Sequence, residues 1–187
     1  MAVLFFGKMS NEEIYNIVVR PNEQWQTRDN IYDLVDLARD VPSSGTVLDI
    51  GIGGAVSACA MSLASKPEVR VYSVGPDVSP IAIEKINKAE CWGKVYFLVG
   101  TSDQVFQNWN KTIDLAFVDG EHQYEEVKRD AKNCSNFLNL GGFLVFHDYD
   151  LYKNTVGLAI DEFFEENKDK YSQILHHNNI IAFKKIA

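Results

Sequence analysis

Two short segments of the sequence carry most of the residues that could do chemistry. Asp119 and His122 follow the apolar run "IDLAFV", and His147, Asp148 and Asp150 follow the run "GFLVF". The carboxyl ends of neighbouring parallel strands open into one crevice, so we expect all five side chains to converge there. Carboxylates and imidazole together can hold a divalent cation, and an imidazole can also accept a proton from a substrate. The residues alone also allow a structural reading, with Asp119 capping the following helix and His147 buried against a backbone carbonyl.

Five apolar runs, which alternate with helical segments, predict the strands that position these residues. They cover residues 46–50, 69–74, 94–99, 113–119 and 142–148. Alternating strands and helices indicate right-handed crossovers and therefore a doubly wound, Rossmann-like α/β sheet that is mostly parallel. The segments "YSQILHH" and "NIIAFKKI", separated by a turn-like "NN", predict an antiparallel hairpin at the C-terminal end. The sheet would then have seven strands.

Helical patterns fill the gaps between these runs. Ser79 begins one helix that continues to residue 92, a second covers residues 124–138 and ends at Gly141, and a third covers residues 155–167. Two more helices are predicted before the first strand. We expect a single domain, residues 1–187, in which residues 1–44 form part of a lid over a cofactor-binding core of residues 45–187.

Composition narrows the class of partner. The chain has 187 residues and a formal net charge of −8, with acids and bases interspersed. No basic block is present to neutralise phosphates, so a small-molecule substrate is favoured over nucleic acid. No apolar run reaches the roughly 18 residues of a membrane span, and no signal peptide is evident. We therefore expect a cytoplasmic protein that does not bind membranes.

The segment "VLDIGIGGAVS" predicts a glycine-rich turn between a strand and a helix, where backbone can approach a ligand closely. A tight turn without a ligand would fit the same letters. Asp49 precedes Gly51 and Gly53, and a carboxylate at this point repels a diphosphate but suits a cationic ligand. This argues against a nicotinamide-dependent oxidoreductase.

This glycine segment resembles motif I of class I S-adenosylmethionine-dependent methyltransferases. The segments "FVDGEHQYEEV" and "LGGFLVFHDYD" resemble the small-molecule O-methyltransferases among them. The resemblance implies an S-adenosylmethionine cofactor and methylation of a hydroxyl group on a small molecule. The cofactor-binding residues that it implies are Asp49, Gly51, Gly53, Gly75, Asp77, Thr101, Ser102 and Asp119.

The same resemblance implies roles for the acids and histidines. Metal-dependent members take ligands from these two strand ends, and Asp119, His147 and Asp148 match them by position. A histidine ligand shifts the preference from magnesium toward manganese, iron or zinc. Without a metal, His122 or His147 would take the substrate proton as a general base.

The sequence departs from the family at the nucleoside end. The second strand of the family ends in an acid that binds the ribose, and Gly75 stands at that position. Asp77 could replace the acid, backbone and water could hold the ribose, or the protein could be a non-catalytic binding module on this scaffold. Thr101, beside Ser102, replaces a frequent acid near the adenine, and Asp103 could either accept from the adenine amino group or cap the next helix.

The predicted lid is short, because only about 40 residues precede the core. A neighbouring subunit could complete such a pocket, so we expect a homodimer.

Overall fold

The computed structural model describes residues 9–21 and 26–187. Parts of the predicted lid segment, residues 1–8 and 22–25, lie outside the described residues. The helices are α1 Asn11–Val18, α2 Arg28–Arg39, α3 Val56–Ala64, α4 Pro80–Lys88, α5 Ser102–Phe106, α6 Tyr124–Phe137 and α7 Leu158–Glu166. The strands are β1 Thr46–Ile50, β2 Arg70–Gly75, β3 Val95–Val99, β4 Ile113–Val118, β5 Leu138–Phe146, β6 Tyr171–His177 and β7 Ile180–Lys185.

The strands form one seven-stranded sheet in the order β3-β2-β1-β4-β5-β7-β6. The first five are parallel, and β7 runs antiparallel to both β5 and β6. The predicted Rossmann-like sheet with its C-terminal hairpin is confirmed. Strand order reverses between β1 and β4, and open α/β sheets bind ligands at that switch point.

Helices cover both faces of the sheet, because its central strands are apolar on both sides. One buried cluster packs helices α1, α2, α3 and α4 against one face of the sheet and includes Ile31, Met61 and Leu115. The other joins α6 and α7 to the opposite face and includes Leu144 and Ile160. No helix among residues 9–21 and 26–187 is long and apolar enough to cross a membrane.

The boundaries differ most from the predicted ones at three places. Helix α4 ends at Lys88, four residues early, and the chain turns at Glu90, whose φ is 52°. Helix α6 runs directly into β5 at Leu138, which already pairs with Ile113, so Gly141 lies inside the strand and does not end the helix. The predicted helix 155–167 begins instead with a π-helical turn, Lys153–Gly157, before α7.

The glycine loop after β1 passes directly against the end of β4. Gly51 has a φ of 119°, and a Cβ built there would lie 2.1 Å from the carbonyl oxygen of Asp119. The Asp119 amide donates to the Ile50 carbonyl at 2.8 Å. Only glycine fits at residue 51, and the contact places Asp119 beside the loop. Gly53 differs, because its φ is 44° and a Cβ there would have no heavy atom within 4 Å.

We expect Gly51→Ala to be far more damaging than Gly53→Ala. Both place an alanine at positive φ, which costs about 1–2 kcal/mol, but only residue 51 adds a collision with backbone. Urea unfolding of the two variants measures the difference. Equal free energies of unfolding would contradict the close packing of the loop against β4.

Candidate active site

A cavity of about 400 Å³ opens at the carboxyl ends of β1, β4 and β5. The glycine loop, residues 51–54, forms one wall, residues 119, 120 and 122 form a second, and His147 with Asp148 form a third. Gln26, Ser57, Ser79 and Ile81 also line it. The glycine loop and the acids and histidines therefore face one space.

Four of the five predicted polar residues converge. His122 Nε2 lies 2.9 Å from Asp148 Oδ2, and His147 Nδ1 lies 3.2 Å from one oxygen of Asp119 and 3.2 Å from one of Asp148. The prediction is wrong for Asp150, which is exposed and lies 2.9 Å from His176 Nε2. The divergence begins at Asp148, whose φ of 59° turns the chain away from the cavity.

His147 has both ring nitrogens surrounded by protein. It is only 5% exposed, its Nε2 lies 2.9 Å from Asn30 Nδ2 in α2, and its Nδ1 is aligned with neither carboxylate. Burial lowers the pKa of His147, but Asp119 and Asp148 outweigh burial and raise it to about 9. A charged imidazole donates from both nitrogens. That form requires Asn30 to present its Oδ1, a buried atom without a partner in this arrangement.

A cation would find its ligands in Asp119, His122 and Asp148. One ligand atom from each lies within 4.8 Å of the others. His147, predicted as a ligand beside Asp119 and Asp148, is not part of this group and is enclosed by Asn30 and the two carboxylates; its role as a ligand stays a prediction. Burial raises the pKa of Asp148, but His147 and His122 outweigh it and bring the pKa below its ordinary value. Two carboxylates and an imidazole suit a divalent ion.

Asp49 lies beneath the glycine loop and does not line the cavity. Its side chain is fully buried and accepts hydrogen bonds from Ser57 Oγ, at 2.7 Å, and from Ser73 Oγ. Burial raises its pKa to about 7, despite the two hydroxyl donors. Asp49 is therefore linked to the cavity only indirectly, through its hydrogen bond with Ser57, which lines the cavity.

Gly75 and Asp77 lie outside this cavity. A Cβ at Gly75 would lie 3.1 Å from Ile52 Cγ1, so the glycine loop itself crowds the position where the family carries an acid. Asp77 is exposed.

The polar residues after β3 contact helices α5 and α6. Thr101 is the N-cap of α5, accepting from the Gln104 amide at 3.3 Å, so the suggested cap at Asp103 is wrong. Asp103 instead lies 2.7 Å from Arg129 Nε, and Ser102 Oγ donates to Asp130.

The sequence did not reveal Gln26 and Ser79, which line the cavity, or Asn30, which lies behind it. Gln26 Nε2 donates to Asp119 Oδ2 at 3.0 Å, Asn30 contacts His147, and Ser79 Oγ donates to the Gly53 carbonyl at 3.1 Å. Ser79 was recognisable only as a helix cap. Gln26 and Asn30 are 93 and 117 residues from their partners, beyond the reach of any local pattern.

Comparison with known proteins agrees with this architecture. Residues 48–149 match a family described as a methyltransferase domain. The chain belongs to this family, and its seven-stranded sheet has the fold of class I S-adenosylmethionine-dependent methyltransferases. A 41-residue stretch is 44% identical to the uncharacterized protein R132 of Acanthamoeba polyphaga mimivirus, a match that spans 22% of this chain and 19% of that protein.

Solved structures with this fold include enzymes of different kinds. The O-methyltransferase TomG from Streptomyces achromogenes, in complex with S-adenosylmethionine, has a TM-score of 0.73 at 14% identity, covering 95% of this chain and 88% of that one. The O-methyltransferase from Bacillus cereus has a TM-score of 0.67 at 16% identity over 97% and 94%. A candidate rRNA methylase from Clostridium thermocellum has a TM-score of 0.68 at 12% identity over 82% and 95%. At these identities the likeness shows the fold alone.

Asp49 predicts a specific pH dependence of stability. Its pKa is about 7 in the folded protein against an ordinary 3.8, so folding favours the protonated form. The stability that this proton contributes is present below about pH 4 and is lost as the pH rises to about 7, a loss of roughly 4 kcal/mol at most.

We expect Asp49→Asn to flatten this decline in urea unfolding at pH 4, 5.5 and 7.5. The exposed Asp77→Asn serves as the control and should keep the wild-type slope. A wild-type slope in Asp49→Asn would contradict the assigned pKa.

Proposed function

We propose that this protein transfers the methyl group of S-adenosylmethionine to a hydroxyl oxygen of a small molecule. The observation that carries the proposal is the 2.9 Å pair of His122 and Asp148, which lines the same cavity as Gly51 and Gly53. A methyl donor held at the loop would lie beside a base. Asp119 completes the polar wall between them.

The cofactor, when bound, supplies a methyl group that its sulfonium makes electrophilic. This chain supplies the backbone surface around Gly53, where nothing crowds a close approach, and the hydroxyls of Ser57 and Ser79. Asp49 holds Ser57 in place. The predicted roles of Gly75, Asp77, Thr101 and Ser102 in holding the nucleoside stay predictions, since these residues lie apart from the cavity.

His122 is the residue that we assign as general base. Asp148 occupies its Nε2, which leaves Nδ1 to take the proton of the acceptor hydroxyl. As the carbon–sulfur bond breaks and the carbon–oxygen bond forms, the proton stays on His122, and the leaving group is neutral S-adenosylhomocysteine. Asp148 stabilises the imidazolium. His147, with both nitrogens enclosed, holds Asp119 and Asp148 in position.

A divalent ion such as Mg²⁺, Mn²⁺ or Zn²⁺ fits the donor set of Asp119, His122 and Asp148. When bound, it would lower the pKa of the acceptor hydroxyl. With the ion bound, His122 would be one of its ligands instead of the base, and an Nε2 that coordinates the ion would no longer pair with Asp148.

We also propose that residues 1–44 close one side of the site within a single domain, residues 1–187. Gln26 and Asn30 support this, because they contact Asp119 and His147 directly. Homodimer formation, a cytoplasmic location and the absence of nucleic-acid binding stay predictions from the sequence.

The proposed base is tested by substitution and turnover. We expect His122→Ala to lower kcat about 10²–10⁴-fold, the usual contribution of a general base, measured by S-adenosylhomocysteine release with hydroxylated acceptors. His176→Ala removes an exposed imidazole outside the cavity and should leave kcat unchanged. Undiminished turnover in His122→Ala would refute the assigned base. Wild-type protein that binds cofactor but turns over no acceptor would favour the non-catalytic alternative.

A further inference from the structure

Strand β3 is one of the two outer strands of the sheet. Among the described residues it pairs only with β2, to which it is parallel. The Lys94 carbonyl accepts from an amide of β2 at 2.9 Å, and the Gly100 amide donates to a carbonyl of β2 at 2.8 Å. Backbone groups alternate in direction along a strand, so the even-numbered residues of β3 face β2. The backbone groups of Phe97 and Val99 therefore point to the open edge of the sheet.

Apolar side chains are exposed along this edge. Tyr96 is 41% exposed, Val99 is 67% exposed, and Trp92, just before the strand, is 55% exposed. The Tyr96 ring stacks on Tyr72 with centroids 5.4 Å apart, and the Trp109 ring contacts Tyr72 edge-on at 5.3 Å. Tyr96 is therefore packed into an aromatic cluster at the surface. An exposed apolar edge strand is a site where another strand can pair.

The segment that forms this edge, residues 92–102, carries almost no charge, although the net charge of the chain is −8. Its one charged residue is Lys94, which is buried and donates to the carbonyls of Ser62 and Ser65 at 2.6 and 3.2 Å. A high net charge keeps copies of a protein apart. Two copies of this acidic chain therefore repel each other least where they meet over uncharged surface.

The other outer strand, β6, has a more polar edge. Four of its seven residues are polar and exposed: Ser172, Gln173, His176 and His177. The two histidines lie 2.9 and 2.8 Å from Asp150 and Asp33. Ile174 is an exposed apolar residue among them. Polar side chains that are already paired protect an edge strand, so β3 is the outer strand that is left open to pairing.

A two-fold axis at Phe97, the middle residue of β3, makes this edge complementary to itself. In an antiparallel pair about that axis, Tyr96 lies opposite Leu98 of the second copy. Val99 lies opposite Val95 in the same way. Each exposed apolar side chain of the strand therefore meets an apolar side chain, and the two copies of Phe97 exchange both backbone hydrogen bonds. Two-fold dimers use the same patch on both subunits, as this pairing does.

We propose that β3 pairs antiparallel with β3 of a second copy of this chain, which joins the two sheets into one continuous sheet. None of residues 92–102 lines the cavity, so this inference does not depend on the proposed function. The homodimer expected from the sequence would form away from the pocket. Each copy contributes one short strand and few exposed side chains, so we expect a weak dimer, with a dissociation constant of about 1–100 µM.

Sedimentation equilibrium of the full chain over a range of concentrations tests the dimer. We expect the mass to rise with concentration from 21.1 kDa toward twice that value. Val99→Lys places a charge in the apolar contact and should weaken the dimer at least about tenfold. Ile174→Lys, the same substitution on β6, is the matched control and should leave the dimer unchanged. Both variants replace exposed side chains, and circular dichroism checks that they are folded.

Amide hydrogen exchange tests the pairing itself. The amides of residues 97 and 99 should exchange more slowly as the protein concentration rises, because pairing would engage them in hydrogen bonds. Val99→Lys should remove this dependence on concentration. The amides of β6 should show no such dependence in either protein.

A monomer at every concentration up to about 300 µM would overturn the inference, since a dimer of the expected strength would be populated there. That result would leave the edge of β3 to an extended segment of the same chain or of another protein. A dimer that Val99→Lys leaves intact, or that Ile174→Lys weakens equally, would also overturn it. So would a dimer whose formation does not slow exchange at residues 97 and 99.

Discussion

The close passage of Gly51 against the carbonyl oxygen of Asp119 is the constraint on which the site depends. It joins the loop after β1 to the end of β4 at the switch point of the sheet, where no side chain can stand between them. The wall proposed for the cofactor and the acid–histidine wall are therefore set by backbone packing. The sheet determines where the two walls lie, and the side chains on them supply the chemical groups.

Charge balance is the second organising feature. His147 contacts both Asp119 and Asp148 from within, and His122 contacts Asp148 at the cavity, so the two acids are paired with two imidazoles. Helix α2 and the segment before it add a second layer of contacts, through the amides of Asn30 and Gln26. The side-chain oxygen of each amide is buried and has no hydrogen-bond partner, and the same is true of His147 Nδ1. Such atoms are rare in folded proteins and are expected where function, water or an ion is at stake.

The sequence predicted the features that follow from strand periodicity. Asp119, His122, His147 and Asp148 could be placed together because parallel strands end at one edge, and the hairpin could be read from its turn. The position of Asp150 could not be predicted, because the chain changes direction at Asp148 through a positive φ, and an aspartate in the sequence does not indicate a positive φ. The contacts of Gln26 and Asn30 could not be predicted, because they depend on how α2 packs over the sheet. The direct junction of α6 with β5 was also not predicted, because a glycine such as Gly141 usually indicates the end of a helix, whereas here it lies inside a strand.

The central claim is that the glycine loop and the acid–histidine cluster form one working site for S-adenosylmethionine. Its most direct test is calorimetric titration of S-adenosylhomocysteine into metal-stripped protein, repeated with Mn²⁺ and with Asp119→Asn. The account predicts binding at about micromolar strength, roughly −8 kcal/mol, with a response to Mn²⁺ that is lost in Asp119→Asn. Folded protein that binds no S-adenosylhomocysteine in any condition would contradict the account and leave the fold with a different ligand.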